Sequence, residues 1–423
     1  MIREVRRTAF LACVLLWTEL LFAQAPTSAQ GMLQRVQGER EQVQFLGIDE
    51  SAVMQFVGAS KFELKADQVW RFGTDQAKLR GAYVLLLDGS RMAASNVVTE
   101  GTELVFVADE IHPGLWDGMR MPLSHVAAIL WKPPHGIAAL ESCRILVQSV
   151  STDVLQLDNG DQVQGEFRGL TMDESTQLPQ IVFVVRGTES RVAMDRVISL
   201  RLRSSDKEAS VTIRDHWTFA FSEGSRVNVR SPLINESGAK WISLSGVAQK
   251  LAGELFWQNV VCVEPPRSDV LFLSDQTPLN YRHLPTFGAP VDWRRDRSAT
   301  GSSLRHRKDY FEKGIGMWSN SRLSFAVPKN AKRFEAETCI DEGAEEKGSV
   351  VFRVLAQTAG EKPELKELFR SEVLRGGGDS KSISVDLAGA GSLILLVEAA
   401  DQGEAGDLAD WLDARFVLAR APK

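Results

Sequence analysis

Asp401-Gln-Gly-Glu-Ala-Gly-Asp-Leu-Ala-Asp-Trp-Leu-Asp-Ala-Arg415 stands directly before the apolar run Phe416-Val417-Leu418, close to the end of the 423-residue chain. The stretch holds four aspartates, two glycines and one tryptophan. Carboxylate oxygens on a glycine-containing loop suit a hard cation or sugar hydroxyls. An indole ring beside them suits the C–H face of a sugar ring. The stretch therefore predicts a ligand site next to the last strand of a β-domain.

Five residues are candidate sugar contacts. Asp410, Asp413 and Arg415 offer hydrogen bonds to vicinal hydroxyls, and Trp318 and Trp411 offer ring faces. Alternation along an extended segment would place Trp411, Asp413 and Arg415 on one side and Asp410 on the other. A structural interpretation stays open, in which Trp411 is a core residue and Asp413 and Arg415 form an internal ion pair.

Asp401 and Asp407 are candidate calcium ligands. Calcium takes six to eight oxygen ligands from flexible loops, and the Gly403 carbonyl could add one. In the alternative interpretation, Asp401 and Asp407 are turn residues exposed to solvent.

Residues 268–418 are expected to form a separate β-domain. Pro265-Pro266 is a linker signal, and the composition changes there. Strands are predicted at 322–327, 333–339, 350–355, 368–371, 383–387, 393–398 and 414–418. Seven or more strands without a long helix predict a two-sheet antiparallel sandwich whose loops carry function.

The motifs of this domain resemble those of the NPCBM family, carbohydrate-binding modules first associated with glycoside hydrolase family 98. The resemblance is carried, in order, by Phe311-Glu-Lys-Gly-Ile-Gly-Met-Trp-Ser-Asn-Ser-Arg322, Arg333-Phe-Glu-Ala-Glu337, Gly348-Ser-Val-Val-Phe-Arg-Val354 and the closing residues 406–415. It implies a jelly-roll-like β-sandwich that binds glycans, often galactose-containing, and in some members a structural calcium. Trp318 and Leu408 stand where the family commonly has histidines, which leaves the sugar open.

The region from 26 to 265 is predicted to consist of about three small repeated β-modules, with boundaries near 140 and 210. Apolar runs recur around Asp88-Gly89, Asn159-Gly160 and Glu223-Gly224, and a degraded earlier copy precedes them. Such dipeptides accommodate tight hairpin turns, so each copy should open with a β-hairpin. The tryptophans of this region are expected in the core, and the repeats are expected to act as a spacer or an interaction surface. The whole chain is therefore predicted to be all-β.

The N-terminal 25 residues are interpreted as a cleaved signal peptide. Arg3, Arg6 and Arg7 precede an apolar run that is shorter than the roughly 20 residues of a membrane span, and Ala23-Gln-Ala25 is a small-x-small cleavage site. We therefore expect an exported protein that is periplasmic, cell-surface or secreted, without a transmembrane segment in the mature chain.

Composition excludes some partners and frameworks. The formal net charge is −6, which argues against a nucleic-acid partner. The three cysteines beyond residue 25 are Cys143, Cys262 and Cys339, an odd number without metal-ligand spacing. A disulfide framework is not expected, and a single Cys143–Cys262 bridge stays open.

Three classes of function remain. We expect a non-catalytic protein that binds carbohydrate through its C-terminal sandwich. A protein–protein scaffold that keeps the fold without binding sugar is the alternative, and a glycoside hydrolase built from paired carboxylates is the third class. The sequence has no Gly-x-Ser-x-Gly, His-Glu-x-x-His or phosphate-loop motif, which favours the non-enzymatic classes.

Overall fold

Antiparallel β-strands make up most of the regular structure. The computed structural model describes residues 26–419, except 37–39, 76–80, 109–113, 135–141, 144, 174, 177, 205–214, 245, 308, 361–362 and 402. The predicted all-β class is confirmed. The predicted signal peptide lies outside the described residues. In the described part of the chain, no helix is both long and apolar enough to cross a membrane.

Residues 29–264 form four β-units in succession. Unit one consists of β1 Ala29–Arg35, β2 Arg40–Ile48, β3 Val53–Val57, β4 Lys61–Lys65 and β5 Val69–Gly73. Unit two consists of β6 Ala82–Leu86, β7 Arg91–Ala94, β8 Asn96–Glu100, β9 Glu103–Val107, β10 Arg120–Pro122 and β11 Val126–Leu130. Unit three consists of β12 Asp153–Leu157, β13 Gln162–Met172, β14 Pro179–Val185, β15 Thr188–Ala193 and β16 Val197–Arg201. Unit four consists of β17 Trp217–Phe221, β18 Arg226–Asn235, β19 Gly238–Ser243, β20 Ala248–Ala252, helix α1 Gly253–Asn259 and β21 Val260–Glu264.

Each unit closes by pairing its first strand with both its second and its last strand. A short helical turn precedes the last strand; it is 3₁₀ in units one to three, at Ala66–Gln68, Leu123–His125 and Met194–Arg196. In units two, three and four the opening hairpin turns at Gly89, Gly160 and Gly224, whose φ values are +82°, +89° and +100°. Glycine adopts such values without steric cost, so the predicted hairpins are confirmed there.

The four units join through strand pairs and form one array. Strand β21 pairs with β5, β18 pairs with β7, and β11 pairs with β16. Units one, two and four share a single apolar core. Five of the tryptophans predicted to be core residues are at most 6% exposed: Trp70, Trp116, Trp217, Trp241 and Trp257. Trp131 is half-buried.

Residues 270–418 form a two-sheet sandwich, and all seven strands predicted there are present. Its strands are β22 Val270–Phe272, β23 Asn280–His283, β24 Arg294–Arg295, β25 Leu304–His306, β26 Asp309–Phe311, β27 Gly314–Trp318, β28 Ser321–Ala326, β29 Ala331–Ile340, β30 Ser349–Thr358, β31 Leu365–Arg370, β32 Leu374–Arg375, β33 Lys381–Asp386, β34 Ala390–Ala399 and β35 Leu408–Leu418. The first sheet has the order β24-β27-β35-β29-β33, and the second sheet has the order β23-β28-β34-β30-β31. Their facing side chains form one buried apolar cluster.

A buried ion network fixes the sandwich on the array. Arg91 pairs with Asp75 at 3.1 Å, and Arg226 pairs with Glu264 at 2.7 Å, all four within the array. Glu312 of the sandwich lies 3.3 Å from Arg91 and 3.1 Å from Arg226. Burial alone would lower the pKa of Arg226, but the carboxylates of Glu264, Glu312 and Asp75 raise it well above its ordinary value. We call these five residues the interdomain network.

Buried contacts also fix the segment between the array and the sandwich. Arg267, only 3% exposed, pairs with Asp269 at 2.8 Å and lies over the ring of Trp70. Cys143, Cys262 and Cys339 are buried and free, so the Cys143–Cys262 bridge that the sequence left open is absent from the structure.

Candidate functional site

A β-bulge in the last strand decides which way the candidate sugar residues point. Asp413 has φ +50°, and the pairing of β29 with β35 shifts between Glu335 and Glu337. Trp411 and Ala414 therefore both face the sandwich core, whereas Arg415 faces the opposite side. The predicted alternation, with Trp411, Asp413 and Arg415 on one side, is wrong because the bulge inserts one residue.

Trp411 lies in the centre of the sandwich core. Its side chain has no exposed surface, and its ring meets Phe352 edge-on with centroids 5.1 Å apart. A second aromatic contact is made with Phe334 at 6.3 Å. Trp411 therefore presents no ring face to a ligand and occupies the position that the structural interpretation gave it.

Asp410 is also fully buried, opposite Gly316 and Cys339 in the first sheet. Both of its carboxylate oxygens are buried without a hydrogen-bond partner among the described residues. Burial raises the pKa of Asp410 well above its ordinary value, and the nearby Asp341 carboxylate adds to the rise. Asp410 is thus out of reach of a sugar in solution.

Arg415 and Asp413 lie where the sandwich meets the array. The Arg415 guanidinium pairs with Glu335 at 2.8 Å and lies 3.7 Å from the centre of the Trp70 ring. Burial would lower the pKa of Arg71, but Asp413 and other nearby acids raise it. The array therefore covers this face of the sandwich, and Arg415 pairs with Glu335 rather than with the Asp413 carboxylate.

The two candidate calcium ligands do not fit a shared cation site. Asp401 forms a bidentate ion pair with Arg375 at 3.0 and 2.6 Å, and the Arg375 guanidinium lowers the pKa of Asp401 to about 2. Asp407 is buried and accepts a hydrogen bond from the Ser349 amide at 2.7 Å. Within the described residues, no group of three or more His, Cys, Asp or Glu side chains is arranged to hold a metal ion.

Three loops meet at one end of the sandwich, beside Trp318. We call residues 283–293, 318–320 and 403–407 the loop-end site. The Ser319 amide donates to the Asp407 carbonyl at 3.1 Å, and the Leu284 amide donates to the Asn320 carbonyl at 3.0 Å. These backbone contacts tie each loop to the next.

Glu404 locks the three loops together. Its carboxylate accepts hydrogen bonds from the Thr286 amide at 2.8 Å, from the Thr286 hydroxyl at 2.7 Å and from the Asn320 side-chain amide. The donors on Thr286 lower the pKa of Glu404. His283 accepts from the Val291 amide at 2.9 Å, and burial lowers its pKa. The loop-end site is therefore held by several polar contacts.

The loop-end site presents three aromatic side chains. Trp318 and Trp293 are both half-buried against the sandwich core. Because β24 pairs with β27, Trp293 precedes β24 at the end where Trp318 terminates β27. Phe287 is 88% exposed at the tip of the longest loop. Three aromatic side chains and several polar loop groups thus coincide at this end of the fold, where the Arg295 guanidinium lies 5.6 Å from the centre of the Trp293 ring.

Of the three aromatic residues at the loop-end site, the sequence prediction included Trp318 but not Trp293 or Phe287. A tryptophan inside Val291-Asp-Trp-Arg294, between a proline-rich loop and a short strand, was the available signal. Phe287 lies between Pro285 and Pro290 with Gly288 beside it, a composition typical of an exposed loop. Both signals were weaker than the acidic stretch at 401–415.

Comparison with known proteins identifies the domain that carries this site. Residues 270–417 match the model of the NPCBM/NEW2 domain, so the family resemblance is confirmed for this part of the chain. Alpha-1,3-galactosidase B of Akkermansia muciniphila is 34% identical over 159 residues, which cover 37% of this chain and 17% of that protein. The match thus spans less than a fifth of that relative.

Matches among solved structures include two from Clostridium perfringens. CBM51 of GH95, in complex with methyl-galactose, is 19% identical and covers 35% of this chain and 99% of that chain, with a TM-score of 0.30. The CBM51-2 and INT domains of ZmpB are 21% identical and cover 47% of this chain and 43% of that chain, with a TM-score of 0.31.

Proposed function

We propose that this protein is an exported, non-catalytic carbohydrate-binding protein whose sandwich holds a glycan at the loop-end site. The observation that carries the proposal is the presence of Trp293, Trp318 and Phe287 at one loop end of a domain that matches NPCBM/NEW2. An aromatic ring face against the C–H patch of a sugar ring is a common mode of recognition.

Polar groups at the loop-end site complement the rings. Asp292 is exposed next to Trp293. Asp292 can accept from sugar hydroxyls, while Glu404 keeps the loops in place. Asp410, Trp411, Asp413 and Arg415 act in the packing of the last strand, and Trp318 remains the sugar contact taken from the sequence.

Galactose-containing glycans are the first ligands to test, since a relative of the domain is named a galactosidase.

The proposal predicts that Trp293→Ala weakens sugar binding about tenfold without unfolding the protein, because one ring contact is lost. Calorimetric titration of the full chain with a galactose-terminated oligosaccharide measures the effect. Leu365→Ala is the matched control, since Leu365 is 58% exposed on the far edge strand β31. Equal affinity of Trp293→Ala and the wild type would place the sugar elsewhere.

A further inference from the structure

A row of arginines crosses the outer face of the second sheet. Arg282 of β23 is directly opposite Arg322 of β28, which is opposite Leu396 of β34. Leu396 is opposite Arg353 of β30, which is opposite Arg370 of β31. Residues directly opposite each other in antiparallel strands share one face. Five strands therefore contribute four guanidinium groups and one leucine to a single line.

The row faces outward. Leu323, Val354 and Leu395, which neighbour members of the row in sequence, are fully buried between the sheets. Alternation along each strand turns the row to the other side. The contacts with the array come from the first sheet and the adjoining segment, as in Arg415 on Trp70 and Glu312 on Arg226. The array thus docks on the opposite side of the sandwich.

One half of the row is neutralised within the protein. Arg353 forms ion pairs with Glu367 and Glu398. Arg370 lies 3.5 Å from Glu367 and 3.6 Å from Glu398. Two carboxylates therefore balance two guanidinium groups there, and this half is an ordinary solvated ion-pair cluster.

The other half carries two positive charges without compensation. Arg282 and Arg322 are both exposed, and neither has an ion pair or a hydrogen-bonded side-chain partner among the described residues. Like charges directly opposite in a sheet are destabilising. An anion bound between them would remove that repulsion, and a guanidinium binds a planar or tetrahedral oxyanion with two parallel hydrogen bonds.

We propose that this face is a second binding site, for an acidic polysaccharide that carries carboxylate or sulfate groups along its chain. Arg282 and Arg322 together hold one anionic group of this polymer. Leu396, half-buried between Arg322 and Arg353, offers an apolar contact to a ring.

The test uses the full chain on surfaces coated with chondroitin sulfate, polygalacturonate or neutral galactan. Wild type is expected to bind the two acidic polymers, with affinity that falls as salt screens the charges. Combining Arg282→Gln with Arg322→Gln should weaken this binding at least tenfold, because two charge-assisted contacts are lost. Arg168→Gln with Arg191→Gln, which removes two exposed charges from unit three, is the matched control and should change affinity less than twofold.

Thermal denaturation separates binding from folding. Removing the repulsion between Arg282 and Arg322 should leave the melting temperature unchanged or raise it. Trp293→Ala should retain acidic-polymer binding, so that failure of the loop-end site and failure of this face are distinguishable. A preference for sulfate over carboxylate, or the reverse, identifies the anionic group.

The proposal is overturned by any of three results. The first is that wild type fails to bind both acidic polymers. The second is that the double arginine variant binds them as well as the control does. The third is that single-stranded DNA binds this face as tightly as the polysaccharides, which would make it a general polyanion surface.

Discussion

Asp410 is a carboxyl group enclosed in the sandwich and close to a second carboxylate, that of Asp341. Its folded pKa lies above the unfolded value of about 3.9, so ionisation opposes folding. The stability contribution of this group is complete below pH ~3.9 and is lost as the pH rises towards the folded pKa. The residue thus makes the sandwich less stable at neutral pH than its packing allows.

We predict that Asp410→Asn stabilises the protein at pH 7 by about 1–3 kcal/mol, since the amide carries no charge to be buried near the Asp341 carboxylate. The gain should vanish near pH 3.5. Urea denaturation at both pH values measures it, with Asp292→Asn as the control because Asp292 is exposed. A variant that is equally stable or less stable at pH 7 would show that the pKa of Asp410 is not raised and that its carboxylate is better solvated than its burial indicates.

Local sequence could place a tryptophan near a ligand but could not show which face it presents. Trp318 and Trp411 are equally plausible platforms by composition, yet one is half-buried at a loop end and the other is fully buried. The difference arises from packing against Phe334 and Phe352, which come from other strands. Long-range contacts of this kind are not encoded in the residues around the tryptophan.

At the scale of the element, β27 and its neighbours depend on close backbone approach. A Cβ on Gly316 would overlap the backbone of Ser298 and Ala299, which cross directly over this strand. Gly316 therefore allows the loop to pack onto the first sheet, and Gly314 allows β27 to lie close to the Trp411 carbonyl of β35. This accounts for part of the family motif without any ligand.

We predict that Gly316→Ala destabilises the protein by about 1–3 kcal/mol or more, because the overlap can be relieved only by moving backbone. Gly58→Ala is the matched control, since a Cβ there meets ordinary van der Waals contacts at 3.5 and 3.7 Å. Thermal denaturation of the two variants checks the difference. A Gly316→Ala protein as stable as wild type would mean that the segment 297–299 is free to move away.

The strand pattern of the sandwich was predictable because alternating apolar residues mark each strand. The seven predicted segments fall on β28 to β31 and β33 to β35, although β35 begins at Leu408 rather than at 414. The bulge at Asp413 interrupts the alternation, which hides the first half of β35 from a period-two search. The short strands β22 to β26 are too brief to produce a pattern.

At the scale of the whole molecule, the interdomain network couples the sandwich to the array. Pro265-Pro266 predicts a linker, and the structure adds buried arginines on both sides of the contact, which a composition change cannot show. Arg91 and Arg226 lie far apart in the sequence from Glu312, so their convergence depends on the complete fold.

We predict that Glu312→Gln destabilises the full chain by on the order of 3 kcal/mol, because it leaves two buried arginines with fewer counter-charges. Differential scanning calorimetry should show one transition for wild type and a separated or broadened pair for the variant. Glu367→Gln, in an exposed pair, is the control and should have an effect below about 1 kcal/mol. Two resolved transitions in wild type would contradict the coupling.

The most direct test of the proposed function is to probe a set of immobilised glycans with the full chain. The full chain is used so that the four β-units still cover the Arg415 face of the sandwich. We predict saturable binding to neutral glycans that contain galactose, weakened about tenfold in Trp293→Ala and in Trp318→Ala and unchanged in Leu365→Ala. Folding of each variant is verified by circular dichroism. Absence of neutral-glycan binding by the folded wild type, or binding that survives loss of both tryptophans, would contradict sugar recognition at the loop-end site.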